Sequence, residues 1–257
     1  MRLLLRNNTK HSLMLHFTRF LTAALLIITT GTLHSQTVAT SSFHKVIVSP
    51  FIEATFVQGD QERVVINNSF VDPGKLHIET KNGTLRIYLE GAKEIPRNSR
   101  EDRNSSHDLY PPHAVTATIY YKKLDEISLR GEERFACTSP LSAEHFTLTL
   151  YGESAVTFAE VHINDLRTVI YGESSVEIQS GSVNRQFYTC YGEGRVNATA
   201  ISSEEAKLTA YGEADFRMNV SGRIRITSFG EAKLRYKGNA QVVKGLHVGG
   251  VDVAKLD

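Results

Sequence analysis

The chain has 257 residues, 29 of them basic and 28 acidic, and only two cysteines. So even a charge balance carries no basic footprint for nucleic acid. No long apolar segment follows Gln36, so nothing downstream reads as a membrane-spanning helix, and the remaining length suffices for one domain with a sizeable core.

Residues 1–35 read as an export signal. Arg2, Arg6, Lys10 and Arg19 precede the apolar run Leu21-Thr22-Ala23-Ala24-Leu25-Leu26-Ile27-Ile28, which is shorter than a membrane span needs. Leu33-His34-Ser35 then places a small residue before Gln36, as signal cleavage requires. Met14 is an alternative start that gives a more ordinary signal, and an uncleaved anchor is the competing reading. No cysteine follows the run, which argues against a lipid-anchored lipoprotein. The expectation is an exported protein of the periplasm, the outer cell envelope or the extracellular space.

Residues 36–91 read as strands, with cores at Val46-Ile47-Val48, Val64-Val65-Ile66, Leu76-His77-Ile78 and Leu85-Arg86-Ile87-Tyr88-Leu89. Asp72-Pro73-Gly74 and Lys81-Asn82-Gly83 are turn signals between them. This segment is expected to start the coil and cap its first end. Residues 92–113 are rich in charge and proline and read as an inserted polar loop. His107, Asp108 and His113 on that loop make a weak metal pattern, and no metal or other cofactor is predicted.

Residues 114–238 carry a repeat. Six copies of one phrase occur: Arg130-Gly131-Glu132, Tyr151-Gly152-Glu153, Tyr171-Gly172-Glu173, Tyr191-Gly192-Glu193, Tyr211-Gly212-Glu213 and Phe229-Gly230-Glu231. Their glycines lie 21, 20, 20, 20 and 18 residues apart, and a fixed period of this size signals one unit stacked on itself. Counting from each glycine, the residues at −2, −4 and +4 are mostly apolar, among them Leu150, Leu148 and Val156. Those at −3 and +5 are mostly polar. Period-two alternation marks half-buried strands.

The glycine and the small residue at +2 then share the inward side, which predicts a corner where two walls nearly touch. A hairpin turn at Gly-Glu is the alternative, although hairpins prefer Asn-Gly or Asp-Gly. The leucine-rich frame that rivals a β-solenoid at this repeat length is missing. In this register Cys137 and Cys190 fall in different inward columns more than two coils apart, too far for a disulfide, so both read as buried free thiols. Residues 239–257 are expected to cap the open end.

The segment from Phe43-His44-Lys45-Val46 to Tyr236-Lys237-Gly238 resembles the GIN domain family, called putative auto-transporter adhesin head domain. The likeness includes Gly83-Thr84-Leu85-Arg86-Ile87, Ala117-Thr118-Ile119-Tyr120 and Leu124-Asp125-Glu126-Ile127-Ser128-Leu129. It implies an all-β chain folded as a right-handed parallel β-helix with coils of about 20 residues, occupying 36–257 as one domain. The family's repeats read serine-glycine-small-glycine; this chain has Tyr before its glycines and Glu after them.

Those odd positions point outward and define two neighbouring columns. Tyr151, Tyr171, Tyr191, Tyr211 and Phe229 form one; Glu153, Glu173, Glu193 and Glu213, with Glu132 and Glu231, form the other. Aromatic neighbours at this spacing stack favourably, whereas carboxylates about 4.8 Å apart repel by about 0.9 kcal/mol even in water. Three readings stay open: a solvated column relieved by Arg134, Arg195 and Lys233, a ligand-binding stripe, or a cation site. Six equivalent glutamates do not resemble a differentiated acid–base pair. No nucleophile elbow, phosphate loop or zinc spacing occurs.

The expected function is therefore non-enzymatic binding of a glycan or a surface protein at the cell envelope. The alternatives are a polysaccharide-acting enzyme on the same scaffold and a purely structural envelope protein.

Overall fold

The computed structural model describes residues 36–92 and 110–257. The expected export signal, and the part of the inserted loop that holds His107 and Asp108, lie outside the described residues. The chain is a β-solenoid with coils of about 20 residues. Its strands are β1 (Gln36–Ala39), β2 (Lys45–Val48), β3 (Ile52–Gln58), β4 (Arg63–Ser69), β5 (Leu76–Lys81), β6 (Thr84–Leu89), β7 (Val115–Tyr121) and β8 (Glu126–Gly131). Beyond them lie β9 (Arg134–Cys137), β10 (Leu141–Gly152), β11 (Ala155–Phe158), β12 (Val161–Gly172), β13 (Ser175–Ile178), the continuous β14 (Gly181–Lys237), β15 (Gln241–Val248) and β16 (Val251–Lys255).

Successive coils pair in parallel and in register. Leu150 lies beside Ile170 and Ile170 beside Cys190; Val156 lies beside Val176 and Val176 beside Val196. Gly152, Gly172 and Gly192 are direct neighbours in the same ladder, so the Gly-Glu phrase is a corner of the coil and not a hairpin turn. The alternation read from the repeat matches burial. The whole +4 column, Phe135, Val156, Val176, Val196, Phe216 and Leu234, is buried, and so is the −2 column from Leu129 to Ser228. Cys137 and Cys190 are buried free thiols. Stacked inward columns of this kind form one continuous apolar core along the coil axis.

The reason for the glycines differs from the expectation. They are not wedged between opposing walls; all six have positive φ, from +103° at Gly152 to +138° at Gly230. A Cβ at Gly192 would sit 2.7 Å from the carbonyl oxygen of Gly172, the corner one coil earlier. The coil-to-coil approach, together with a left-handed backbone, excludes a side chain there. Ser154 and Ser174, at +2, lie inward and donate from Oγ to the carbonyls of Gly131 (2.9 Å) and Gly152 (3.0 Å). They give these corner carbonyls a second donor, beside the Glu153 and Glu173 N–H groups that also reach them.

The ends are built differently from the repeat. β2 pairs with both β8 and β6, and β3 pairs with both β9 and β7. The coil of residues 45–58 thus lies between the first repeat coil and a coil assembled later in the chain from β6 and β7. Antiparallel strands cover that end, β5 on β6 and β4 on β7, with β1 on β4. At the other end β15 and β16 pair in parallel with β14. They add a seventh corner at Gly249, where a Cβ would meet the carbonyl of Gly230.

Candidate functional site

The in-register stack turns one sequence position into a line of side chains. Tyr171, Tyr191, Tyr211 and Phe229 are 40%, 41%, 42% and 37% exposed, and Tyr151 is half-buried. Ring centroids from Tyr151 to Tyr211 are 4.9 Å apart at each step, and Tyr211 to Phe229 is 5.2 Å, with all planes within 7° of parallel. The Arg130 guanidinium lies 5.6 Å from the Tyr151 ring centroid and closes one end as a cation–π contact. Val248 is the register partner of Phe229 at the other end. Each stacked pair adds about 0.5–1.5 kcal/mol beyond area burial, so the ladder stabilises the corner that displays it. Its rings turn their faces to one another. Edges and hydroxyl groups are what the column presents to solvent.

Glu153, Glu173, Glu193 and Glu213 line the other side of the corner and are exposed. Their backbones are tied to the glycine ladder: the Glu153 N–H donates to Gly131 O at 3.0 Å and the Glu173 N–H to Gly152 O at 2.9 Å. Glu153 has its pKa raised, first by burial and then by the charges of Glu132 and Glu173. Arg134, Arg195 and Lys233 stand on the same wall and are exposed. Among the described ion pairs none joins them to these glutamates. Among the described residues no group of three or more His, Cys, Asp or Glu side chains is placed to hold a metal ion. His113, the described member of the weak loop pattern, instead lies 3.3 Å from Glu53.

One glutamate the repeat makes exceptional behaves differently. Glu133 occupies the inward +2 place of serine and alanine and is 5% exposed. Its Oε1 accepts the Phe51 N–H at 2.7 Å. Burial outweighs its backbone hydrogen bonds and pushes its pKa up to about 7. The residue pattern marks this position as irregular but gives no partner for it, because Phe51 is remote in sequence.

The ladder, the carboxylate column and the solenoid together define a repeat scaffold that displays a linear ribbon. The family described as putative auto-transporter adhesin, head GIN domain, matches residues 42–240, and the chain belongs to that family. A putative adhesin from Bacteroides fragilis is similar in structure with a TM-score of 0.67 at 14% identity, over 86% of this chain and 96% of that one. A putative lipid binding protein from Parabacteroides distasonis gives 0.64 at 16% identity, over 87% and 96%. A putative adhesin from Parabacteroides merdae gives 0.59 at 16% identity, over 88% and 97%. Identities this low speak for the fold alone. No curated protein matches the chain. No helix among the described residues is long and apolar enough to cross a membrane.

Proposed function

We propose that this protein is an exported, non-enzymatic binding module of the cell envelope, and that the tyrosine–glutamate ribbon is its contact surface for a glycan or a surface protein. The observation that carries this reading is the uniformity of the ribbon. Five aromatic rings stand in one line beside a line of exposed carboxylates along the corner of the coil. An enzyme needs unlike acid and base groups facing one substrate; a repeated ribbon offers the same contact several times, which suits a polymer or an extended partner. The adhesin-like family supports the same reading. Because ring faces are taken up by stacking, the ribbon engages a partner through tyrosine edges and hydroxyls with the neighbouring carboxylates.

The test is a glycan array probed with the exported protein, run beside a polysaccharide-degradation assay. Wild type should bind a glycan subset without cleaving it. Tyr171→Ala with Tyr191→Ala should abolish that binding while the circular dichroism spectrum is retained. Release of reducing ends by the wild type would instead establish the enzyme reading.

A further inference from the structure

The two ends of the coil are finished differently. At the first, antiparallel strands cover the stack, β5 on β6 and β4 on β7, with β1 on β4. At the other, β15 and β16 pair with β14 alone among the described strands. One edge of each therefore carries backbone N–H and C=O groups with no ladder partner, a ready template for a further strand. The side chains beside that edge are largely apolar. Leu246 and Val248 are 68% and 63% exposed, and Val242, Val251 and Val253 end the inward columns only partly covered.

Lys244 interrupts this apolar face. It is the register partner of Ile226, in the inward column that runs through Leu148, Tyr188, Leu208 and Ile226, all buried. No earlier member of that column is charged. Lys244 Nζ donates to the carbonyl of Val251 at 3.3 Å, and Val251 stands on the other wall, beyond the Gly249 corner. The lysine thus spans the mouth of the coil from β15 to β16. A bulge follows at once. Ser228 pairs with His247 and not with Leu246, so β15 gains one residue between Lys244 and His247. An inward-pointing charge and a bulge both keep a strand edge from pairing, and this coil has the two together.

We infer that this end of the solenoid is a latent docking surface for the same end of a second copy of the chain, and that Lys244, lying across the mouth of the coil, holds it shut. An identical end is the partner that matches. The outermost strands of the first end, β1 and β5, hold no exposed large apolar residue, so they offer nothing to cover Leu246 and Val248. Turned about a two-fold axis, β15 and β16 of two copies meet edge to edge and set like apolar groups against each other. Such a contact closes at two subunits, because the ends left facing outward are the covered ones. In the wild type it would enclose two Lys244 ammonium groups, a charge burial that needs close counter-ions. Asp252, on the outer face of β16, is already held by the Arg235 guanidinium at 2.6 Å.

The test is size-exclusion chromatography with light scattering, over a series of loading concentrations, on the protein expressed with its own leader. Wild type should elute as a monomer throughout. Lys244→Ile continues the apolar column and should give a dimer, with self-association at least tenfold tighter than in wild type. Lys244→Met removes the charge and keeps the length; it should do the same, and it serves where the isoleucine variant does not fold. Adding Leu246→Asp and Val248→Asp to either variant should return it to monomer. Lys233→Ile makes an equal change on the outer wall of the preceding coil and should stay monomeric, which separates docking at this end from a merely stickier surface. The inference is overturned if the folded Lys244 variants stay monomeric, if they form species larger than a dimer, or if the aspartate pair leaves their dimer intact. Association of Lys233→Ile to the same extent overturns it too, as does a wild type already dimeric through this end.

Discussion

Glu133 Oε1 accepts the backbone N–H of Phe51 at 2.7 Å, joining residues 82 positions apart. The coil of residues 45–58 has no glycine at its corner; Ser49-Pro50-Phe51 turns it, and Phe51 holds a φ of +69°. A left-handed phenylalanine is costly. The buried carboxylate from the adjoining coil anchors it and satisfies its amide.

This arrangement makes stability depend on pH. Burial raises the Glu133 pKa to about 7 from 4.5. The folded state therefore holds the proton more tightly than the unfolded chain. The resulting stability is fully present below about pH 4.5 and is lost as pH rises through about 7. The difference amounts to roughly 3 kcal/mol at most. Glu133→Gln keeps an acceptor for Phe51 and removes the charge. Urea unfolding at intervals from pH 5 to 8 should show wild type losing stability relative to the variant, with the variant ahead at pH 8. Parallel curves would show that Glu133 ionises freely in the folded chain.

Val176 is 2% exposed and sits between Val156 and Val196 in the +4 column. Val176→Asp places a carboxylate where every neighbour in the stack is apolar, a change worth about 3–5 kcal/mol or loss of folding. A thermal melt superimposable on wild type would overturn the inward register.

Gly172 has a φ of +111°, and a Cβ there would meet the carbonyl of Gly152. Gly172→Val must both strain the backbone and push two coils apart, in the middle of a ladder held by coil-to-coil hydrogen bonds. The expected cost is about 3 kcal/mol or more. Gly172→Ala should be nearly as damaging, because the obstacle is met at the first carbon. Tolerance of alanine with rejection of valine would point back to a wall-to-wall contact.

Much of the fold is legible in the residues because parallel, in-register stacking repeats one environment at a fixed period. The identity of Tyr171, Tyr191 and Tyr211, and the alternation around each, reflect that period. Cys137 and Cys190 can be placed inward and apart for the same reason. The period also puts the glycines at the corner but hides the cause, since positive φ leaves no trace in an alternation pattern. The insertion of the 45–58 coil between β8–β9 and β6–β7 has no local signal, because it is set by pairing between distant segments. The seventh corner is hidden by sequence drift: Val248-Gly249-Gly250 keeps the glycine and loses both tyrosine and glutamate.

The carboxylate column yields the last prediction. Neighbouring glutamates about 4.8 Å apart repel by about 0.9 kcal/mol in water and by more where the local dielectric is lower. Burial and the charges of Glu132 and Glu173 already raise the Glu153 pKa, as crowding of like charges does. Glu173→Gln with Glu193→Gln removes two charges from the middle of the line. If the column is only tolerated, the variant should unfold at a higher temperature than wild type in low salt. The gain should shrink as added salt shortens the range of repulsion. If the column holds a cation, the sign reverses: the variant should be less stable, and a chelator should lower the wild-type melting temperature. Among the described residues no three carboxylates or imidazoles converge on one point, so the expected outcome is stabilisation that fades with salt and no response to chelator.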